Sequence, residues 1–599
     1  MTMKHLLYTI FLPAVLGAAI PASSTEVLFK DSFDSGTSKR LSDLKSGASV
    51  VGTKGALTIS KSERAAVLAI SDLALAPSPG YAVSLSIAGP PKGEYAVWLH
   101  GHGDYWYDFE GIRISFSAEE LRVWTRYKRQ SWRRIPPAVY KSAVKAGARI
   151  KILLLESRWI EVFVDDRLEA KFLVDRYFSD DATRARTGTI AFETNSTLEI
   201  DEVLVTTLKG EKARGFRPGQ SFQVSDQPYF IVSDDLDGDG HADLIATNRG
   251  GFSHEGGEPG DTVSVLFGSS DGKFLSARNL KVGNGPYTSE IADVNGDGHK
   301  DVLVASFYEW RGRDLTVILG KGQRGFAEPK YITLPRIDPV FDKNPENQTR
   351  WPSPGATSLI SRDFNGDGDL DIAAVGWTTD ALYLLSGDGK GNFDLQSALQ
   401  HPDYGHGQRD VKAADIDSDG DLDLAVSNNI SGQVSLYENA GDGTIEFRRR
   451  FSSGGSLPYI LALKDLNKDG KVDIAVSNSN GVVRTLIQWQ GWDFENGGTY
   501  NAFATPQPEK NTIRDIHVHD VDGDGIQDLV LAVESTGYVS IVYGTGNFVR
   551  GHFFARSEQY FLGQKTRSIA IGDFNGDKKS DLAVLRFSTD DVIVLEGTQ

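Results

Sequence analysis

The stretch DLDGDGHAD (235–243) recurs in varied form as DVNGDGHKD (293–301), DFNGDGDLD (363–371), DIDSDGDLD (415–423), DLNKDGKVD (465–473), DVDGDGIQD (520–528) and DFNGDKKSD (573–581). Every copy places an oxygen-bearing side chain at positions 1, 3, 5 and 9. Calcium takes six to eight oxygen ligands at about 2.3–2.6 Å, and a tight turn carrying four such side chains can wrap around one ion. Seven copies in register amount to a repeat architecture.

The residues just after each loop decide the fold. An EF-hand loop ends in a bidentate Glu at position 12 and lies between helices. Here position 12 is Ala246, Val304, Ala374, Val426, Val476, Leu531 and Val584. The loops run instead into short apolar segments such as DLIATN (243–248), DVLVAS (301–306) and DLAVSN (423–428), whose small and β-branched residues predict buried strands. From one first Asp to the next the spacing is 58, 70, 52, 50, 55 and 53 residues. About fifty residues hold four short strands with their turns, the size of one propeller blade. The second unit runs IADV, metal loop, DVLVAS, LTVILG, the turn KGQRGF, and PKYITL.

These units resemble the FG-GAP repeats of integrin-α-type propellers, also described as VCBS-like repeats, across residues 216–599. The expectation is an all-β chain with a seven-bladed β-propeller. The last unit shows only DLAVLRF and DVIVLEG after its loop. The segment PGQSFQVS (218–225), composed like the fourth strand of other units, is expected to complete that blade and so remove the open edge of the ring.

The metal reading assigns up to seven calcium ions. Loop one offers Asp235, Asp237, Asp239 and Asp243 with the backbone carbonyl of His241. Loop two offers Asp293, Asn295, Asp297 and Asp301 with His299, and loop three Asp363, Asn365, Asp367 and Asp371 with Asp369. In loop four the set is Asp415, Asp417, Asp419 and Asp423 with Asp421; in loop five, Asp465, Asn467, Asp469 and Asp473 with Lys471. Loop six has Asp520, Asp522, Asp524 and Asp528 with Ile526, and loop seven Asp573, Asn575, Asp577 and Asp581 with Lys579. Position 6 is Gly in six loops and Lys578 in the seventh. A positive φ there suits Gly and strains other residues, and Lys578 and Lys579 add two ammonium groups beside the ion, so the seventh site is expected to be the weakest.

The side chains at positions 1, 3, 5 and 9 include 24 carboxylates, which account for much of the formal charge of −18. Seven bound Ca²⁺ would bring that charge to −4. An acidic balance of this kind gives nucleic-acid binding no support. Residues 1–22, with Lys4 ahead of the apolar LLYTIFLPAVLGAAI (6–20) and the small residues PASS, are expected to be a secretory signal peptide. No later segment reaches eighteen apolar residues, so no membrane span is expected in the mature chain. There is no cysteine, hence no disulfide, and calcium is the expected staple of an exported chain.

Residues 25–209 contain none of the repeats. Period-two segments such as YAVWLHG, IRISFS and RWIEVFVDD predict a β-sandwich. The order RIKILLLESRWIEVFVDDRLEAKFL resembles concanavalin-like and laminin-G-like jelly-roll domains, which implies a carbohydrate-related module. The string Glu199-Ile200-Asp201-Glu202 lacks the second spaced Glu that a retaining glycosidase of this fold would carry.

Candidate ligand contacts fall in two places. Tyr105 and Trp106, in LHGHGDYWYDFEG (99–111), could stack on pyranose rings. On the propeller rim opposite the metal loops, long polar connections bring in His254, Tyr308, Arg311, Arg313 and Trp351. Some β-propeller polysaccharide lyases use Tyr or His as base and Arg to neutralise a uronate carboxylate. Tyr404, His406 and Arg409 on one loop are the candidates for those parts. The expected role is recognition of an extracellular polysaccharide or glycoconjugate. A polysaccharide lyase and an integrin-like protein-adhesion module are the alternatives.

Overall fold

The structure, a computed structural model, describes fourteen strands lying between residues 27 and 207 and then residues 215–251, 258–269, 272–308, 311–337, 353–400, 405–502, 511–546, 553–562 and 565–598. The chain divides into two compact units, Met1–Ala213 and Arg214–Gln599. No helix among the described residues is long and apolar enough to cross a membrane.

In the first unit Arg149–Leu155 pairs antiparallel with both Gly80–Ile87 and Trp159–Val164, while Gly80–Ile87 also pairs with Thr197–Thr207. A separate antiparallel sheet places Gly188–Thr194 between Ala66–Leu73 and Tyr95–His102. Buried residues recur at period two, as Ile150 and Ile152 facing Val164 and Val162 across one ladder. The cross-strand partners Val97 and Ile114 are buried in the other sheet. The signal-peptide segment, Tyr105 and Trp106 lie outside the described residues.

The second unit is a ring of seven four-stranded antiparallel blades. The innermost strands are Pro228–Asp234, Pro286–Ala292, Ala356–Arg362, Gln408–Ala414, Pro458–Lys464, Ile513–His519 and Thr566–Gly572, and each packs on the next, with the last returning to the first. The second strand of every blade starts on the ninth residue of an acidic loop: Asp243–Gly250, Asp301–Ser306, Asp371–Gly376, Asp423–Asn428, Asp473–Asn478, Asp528–Val533 and Asp581–Arg586. These strands are buried from end to end because each faces a neighbouring blade on both sides. Leu244 and Ala246 pack against Ala583 and Leu585 of blade seven, whereas Ile245 packs against Val302 and Val304 of blade two. A strand with two dry faces needs no polar alternation, which explains the unbroken apolar runs in the sequence.

Closure agrees with the expectation. Phe216–Gln223 pairs antiparallel with Asp591–Gly597 and completes blade seven. The N–H of Phe216 donates to the Tyr560 hydroxyl at 3.2 Å, and Arg586 pairs with Asp591 inside the closing blade. Backbone groups of the innermost strands that no strand can satisfy are met by side chains of adjacent blades. Leu461 N–H donates to Asp410 at 2.9 Å, Ile569 N–H to Asp515 at 3.0 Å and Ser361 N–H to Glu290 at 2.6 Å.

Candidate functional site

The seven acidic loops share one hydrogen-bond pattern. The position 9 carboxylate, buried at the start of the second strand, accepts the position 2 N–H on one oxygen and an N–H from the end of the third strand on the other. Asp243 accepts from Leu236 at 2.9 Å and Gly268 at 2.7 Å, and Asp581 accepts from Phe574 at 2.9 Å and Gly597 at 2.7 Å. The position 1 carboxylate gathers the turn: Asp235 accepts from the N–H groups of Gly238, Asp239 and Gly240. Position 9 is therefore a structural staple whether or not an ion is bound. Each carboxylate oxygen has two lone pairs, so one N–H bond leaves room for a metal.

Burial, with smaller repulsion from neighbouring carboxylates, pushes Asp243, Asp301 and Asp581 up to about 6 and Asp423, Asp473 and Asp528 up to about 7. Three sets, Asp235–Asp237–Asp239, Asp415–Asp417–Asp423 and Asp520–Asp522–Asp528, each offer oxygens within 4.8 Å of one another. An all-oxygen, polyanionic donor set of that size fits a hard divalent cation. In loop one a protein cation already enters the set. Arg324, from the Gly-rich turn of blade two, donates to Asp237 at 2.6 Å and to Asp239 at 3.4 Å.

The loop backbone corrects one ground of the expectation for loop seven. Position 6 does take positive φ, from 81° at Gly525 to 104° at Gly420, with Lys578 at 67°. Position 4 takes it too, and there Ser418 stands at 69° and Lys468 at 60°. Loops four, five and seven each carry one non-Gly residue in this region, so strain does not single out the seventh.

The other end of the ring carries a different chemistry. Every innermost strand has a register shift at its second residue, between Pro228/Phe230, Pro286/Thr288, Ala356/Ser358, Gln408/Asp410, Pro458/Leu461, Ile513/Asp515 and Thr566/Ser568. A bulge re-aims the side chain it carries. The residues in these shifts are Tyr229, Tyr287, Thr357, Arg409, Tyr459, Arg514 and Arg567, with Ile460 sharing the fifth. The side chains of Tyr229, Tyr287, Arg409, Tyr459, Arg514 and Arg567 converge at the ring axis. Arg409 of blade four reaches Tyr229 of blade one, its Nη2 donating to the hydroxyl at 2.8 Å. The same guanidinium lies over the rings of Tyr287 at 4.6 Å and Tyr459 at 4.9 Å. Arg514 lies over Tyr459 at 4.3 Å, and both Arg567 and Arg249 lie over Tyr229 at 4.7 Å. The hydroxyls of Tyr229 and Tyr287 are hydrogen-bonded to each other.

Glu534 is paired into this group, holding both Arg514 and Arg567. Burial works to raise the Tyr229 phenol, but Arg409, Arg514, Arg567 and Arg249 together outweigh it and bring it down to about 8. Arg567 is 7 % exposed and Arg514 20 %, so the ring is largely dry with an opening to solvent. Five residues separate the bulge from the end of the strand, a rise of about 17 Å. The cationic end thus stands well away from the acidic loops. Between the two ends lies a cavity of roughly 450 Å³ lined by groups that include Glu290, Arg362, Lys412, His517 and His519.

Of the residues singled out from sequence, Arg409 joins this ring from a strand rather than from a loop. His406 lies beside Asp380, with Nδ1 at 3.6 Å from its carboxylate. Tyr308 is buried with Tyr229, Tyr287 and Phe307 under the ring. Arg313 turns outward instead, over Tyr331 of the outermost strand of blade two at 4.5 Å, and Arg311 is exposed next to it. His254, Trp351 and Tyr404 lie outside the described residues. Sequence reasoning missed Tyr229, Tyr287, Tyr459, Arg249 and Arg567. A signal was present: the residue six places before each acidic loop is Tyr229, Tyr287, Thr357, Arg409, Tyr459, Arg514 or Arg567, and three times it is the Tyr of a Pro-Tyr pair.

The FG-GAP-like repeat family matches residues 235–304, 363–426, 415–476 and 520–584. No curated protein matches the chain. Among solved structures, BBS1N in complex with ARL6DN is 12 % identical, with 65 % of this chain and 98 % of that chain covered and a TM-score of 0.43. The periplasmic gluconolactonase of Pseudomonas aeruginosa is 14 % identical over 57 % of this chain and 87 % of that one, with a TM-score of 0.41. A lectin of Agrocybe aegerita that recognises non-reducing terminal N-acetylglucosamine is 15 % identical over 56 % and 80 %, with a TM-score of 0.37. The second unit of this chain is a seven-bladed β-propeller built of FG-GAP-like repeats.

Proposed function

We propose that the protein is secreted, that calcium holds its acidic loops, and that the cationic end of its propeller axis binds extracellular carbohydrate. The observation that carries this reading is the gathering of three tyrosine rings and four guanidinium groups at one partly open point of a rigid ring. Flat aromatic faces suit the C–H faces of pyranose rings, and convergent donors fix hydroxyl orientation. The N-terminal unit, with its two antiparallel sheets and its resemblance to concanavalin-like and laminin-G-like jelly rolls, fits a β-sandwich that adds a second carbohydrate contact. Titration calorimetry against a panel of neutral and acidic polysaccharides tests the reading. Tyr459→Ala, which removes a ring between Arg409 and Arg514, should weaken binding at least about tenfold. Binding that this variant leaves unchanged would move the site elsewhere.

One observation favours a second reading, a polysaccharide lyase. A phenol brought down to about 8 beside an arginine is suited to take the proton on the carbon next to a uronate carboxylate. The C–H electron pair would form the new double bond as the glycosidic C–O bond breaks, and the departing oxygen would take up a proton. Absorbance near 235 nm on incubation with uronate polymers separates turnover from binding.

A further inference from the structure

Resting on the carbohydrate reading above, we propose that the axial ring is an oxyanion site, taking the carboxylate of a uronic acid or the sulfate of a sulfated sugar. Four guanidinium groups, Arg249, Arg409, Arg514 and Arg567, meet around Tyr229, and Glu534 is bonded to two of them, Arg514 and Arg567. No carboxylate is paired with Arg409 among the described residues. Its neighbours are the Tyr229 hydroxyl and the faces of Tyr287 and Tyr459.

Burying several like charges together is unfavourable unless a counter-charge is supplied. Among Arg409, Arg514 and Arg567, Glu534 neutralises one charge. A bound oxyanion supplies more. The geometry suits one, because a guanidinium stacked by its faces on aromatic rings keeps its N–H edge for in-plane acceptors, and that edge matches a carboxylate or sulfate. Arg567, nearly buried, leaves its Nε without a hydrogen-bond partner among the described residues.

The surroundings make the feature specific. The chain is strongly acidic overall, and its acidic loops lie at the far end of the axis. Cations gathered at one point of an anionic protein are not a consequence of composition. They occur where bulges in the innermost strands bring six side chains together, and three of the six are arginines. A neutral sugar gives no reason for that choice, since tyrosine, asparagine or tryptophan would serve it without the charge repulsion.

The test uses the full chain in calcium, with uronate oligosaccharides, sulfated oligosaccharides, and the carboxyl-reduced and desulfated counterparts of each. Calorimetry should show the acidic forms binding at least about tenfold more tightly than their neutral counterparts. The affinity should fall as sodium chloride is raised, and the acidic ligand that responds identifies which oxyanion is taken. Arg409→Gln should remove most of the preference, lowering affinity for the acidic forms at least about tenfold more than for their neutral counterparts. If that variant does not fold, Arg514→Lys provides the second measurement, because it keeps the charge, loses the planar edge and should still weaken acidic ligands. Neutral counterparts binding as tightly as the acidic forms would overturn the oxyanion site and leave carbohydrate binding standing. Failure of every saccharide, neutral or acidic, to bind at millimolar concentration would overturn both.

Discussion

Arg409 Nη2 donates to the hydroxyl of Tyr229 at 2.8 Å, a bond that spans the ring from blade four to blade one. Residues 180 positions apart in the chain can meet this way only when the blades close around a common axis. The bond places a phenol in the field of four guanidinium groups and defines the end of the propeller at which an anionic ligand is stabilised.

The first prediction comes from that field. One of the twenty tyrosines should ionise near 8, well below the ordinary value. Phenolate absorbance at 295 nm on raising the pH should show this single early step in the native protein. Tyr229→Phe should abolish it, and Arg409→Gln should move it upward. An absorbance trace with no phenolate below pH 9 would rule out the electrostatic account of the ring.

A second prediction concerns calcium. Ligation replaces repulsion among clustered carboxylates, so removing the ion with EDTA should lower the melting temperature strongly. Binding to the native state alone stabilises by about 2.7 kcal/mol per site at one hundred times Kd. Several sites acting together make the shift large in a single scan. A melting temperature that does not respond to EDTA would mean that the hydrogen bonds within the loops suffice without an ion.

The third prediction is a change of sign with pH. The position 9 carboxylates have folded values of about 6 to 7, above the 3.8 of an exposed Asp. Between those limits the native state holds protons that the unfolded chain has released, so their contribution favours folding below this window and is lost as pH rises through it. Metal-free protein should therefore gain stability as the pH falls from about 7.5 to about 5. Calcium-loaded protein should lose stability over the same range, because protons compete with the ion. Two melting curves per pH, with and without EDTA, check the crossing.

Loop strain gives the fourth. Ser418, Lys468 and Lys578 each hold a positive φ that Gly would accept without penalty. Replacing each with Gly should stabilise by up to about 1 kcal/mol, since relief of 1–2 kcal/mol is partly offset by the greater freedom of Gly in the unfolded chain. If Lys578→Gly alone raised the melting temperature, the seventh loop would be special after all and the strain at position 4 would be negligible.

Arg324 is the subject of the last. Its guanidinium occupies oxygens of Asp237 and Asp239 that an ion in loop one would also use. Arg324→Ala should tighten calcium at that loop, read as a gain in affinity of one phase of the calorimetric titration. Loss of affinity would mean that Arg324 orders the carboxylates for the ion instead of competing with it.

The repeat, and with it the blades, is legible in the linear chain. A nine-residue oxygen pattern must sit in a turn, and an apolar run of five or six residues after it must be a strand with two buried faces. A ring short of one strand must borrow it, as Phe216–Gln223 does. These conclusions rest on interactions local in the chain or repeated at a fixed period, which a linear sequence displays. What lies at the axis emerges only in the closed ring. Tyr229, Tyr287, Tyr459, Arg409, Arg514 and Arg567 come from six different blades, and each stands in an ordinary strand. Their chemistry arises from convergence, which depends on the bulge in each innermost strand and on the curvature of the closed ring. Spacing to the loops marked their positions, but no local rule says that a residue six places before an acidic turn points inward. The strain at Ser418 and Lys468 was hidden for a related reason, because the φ of a residue in a ligand loop is set by where its neighbours' oxygens must point.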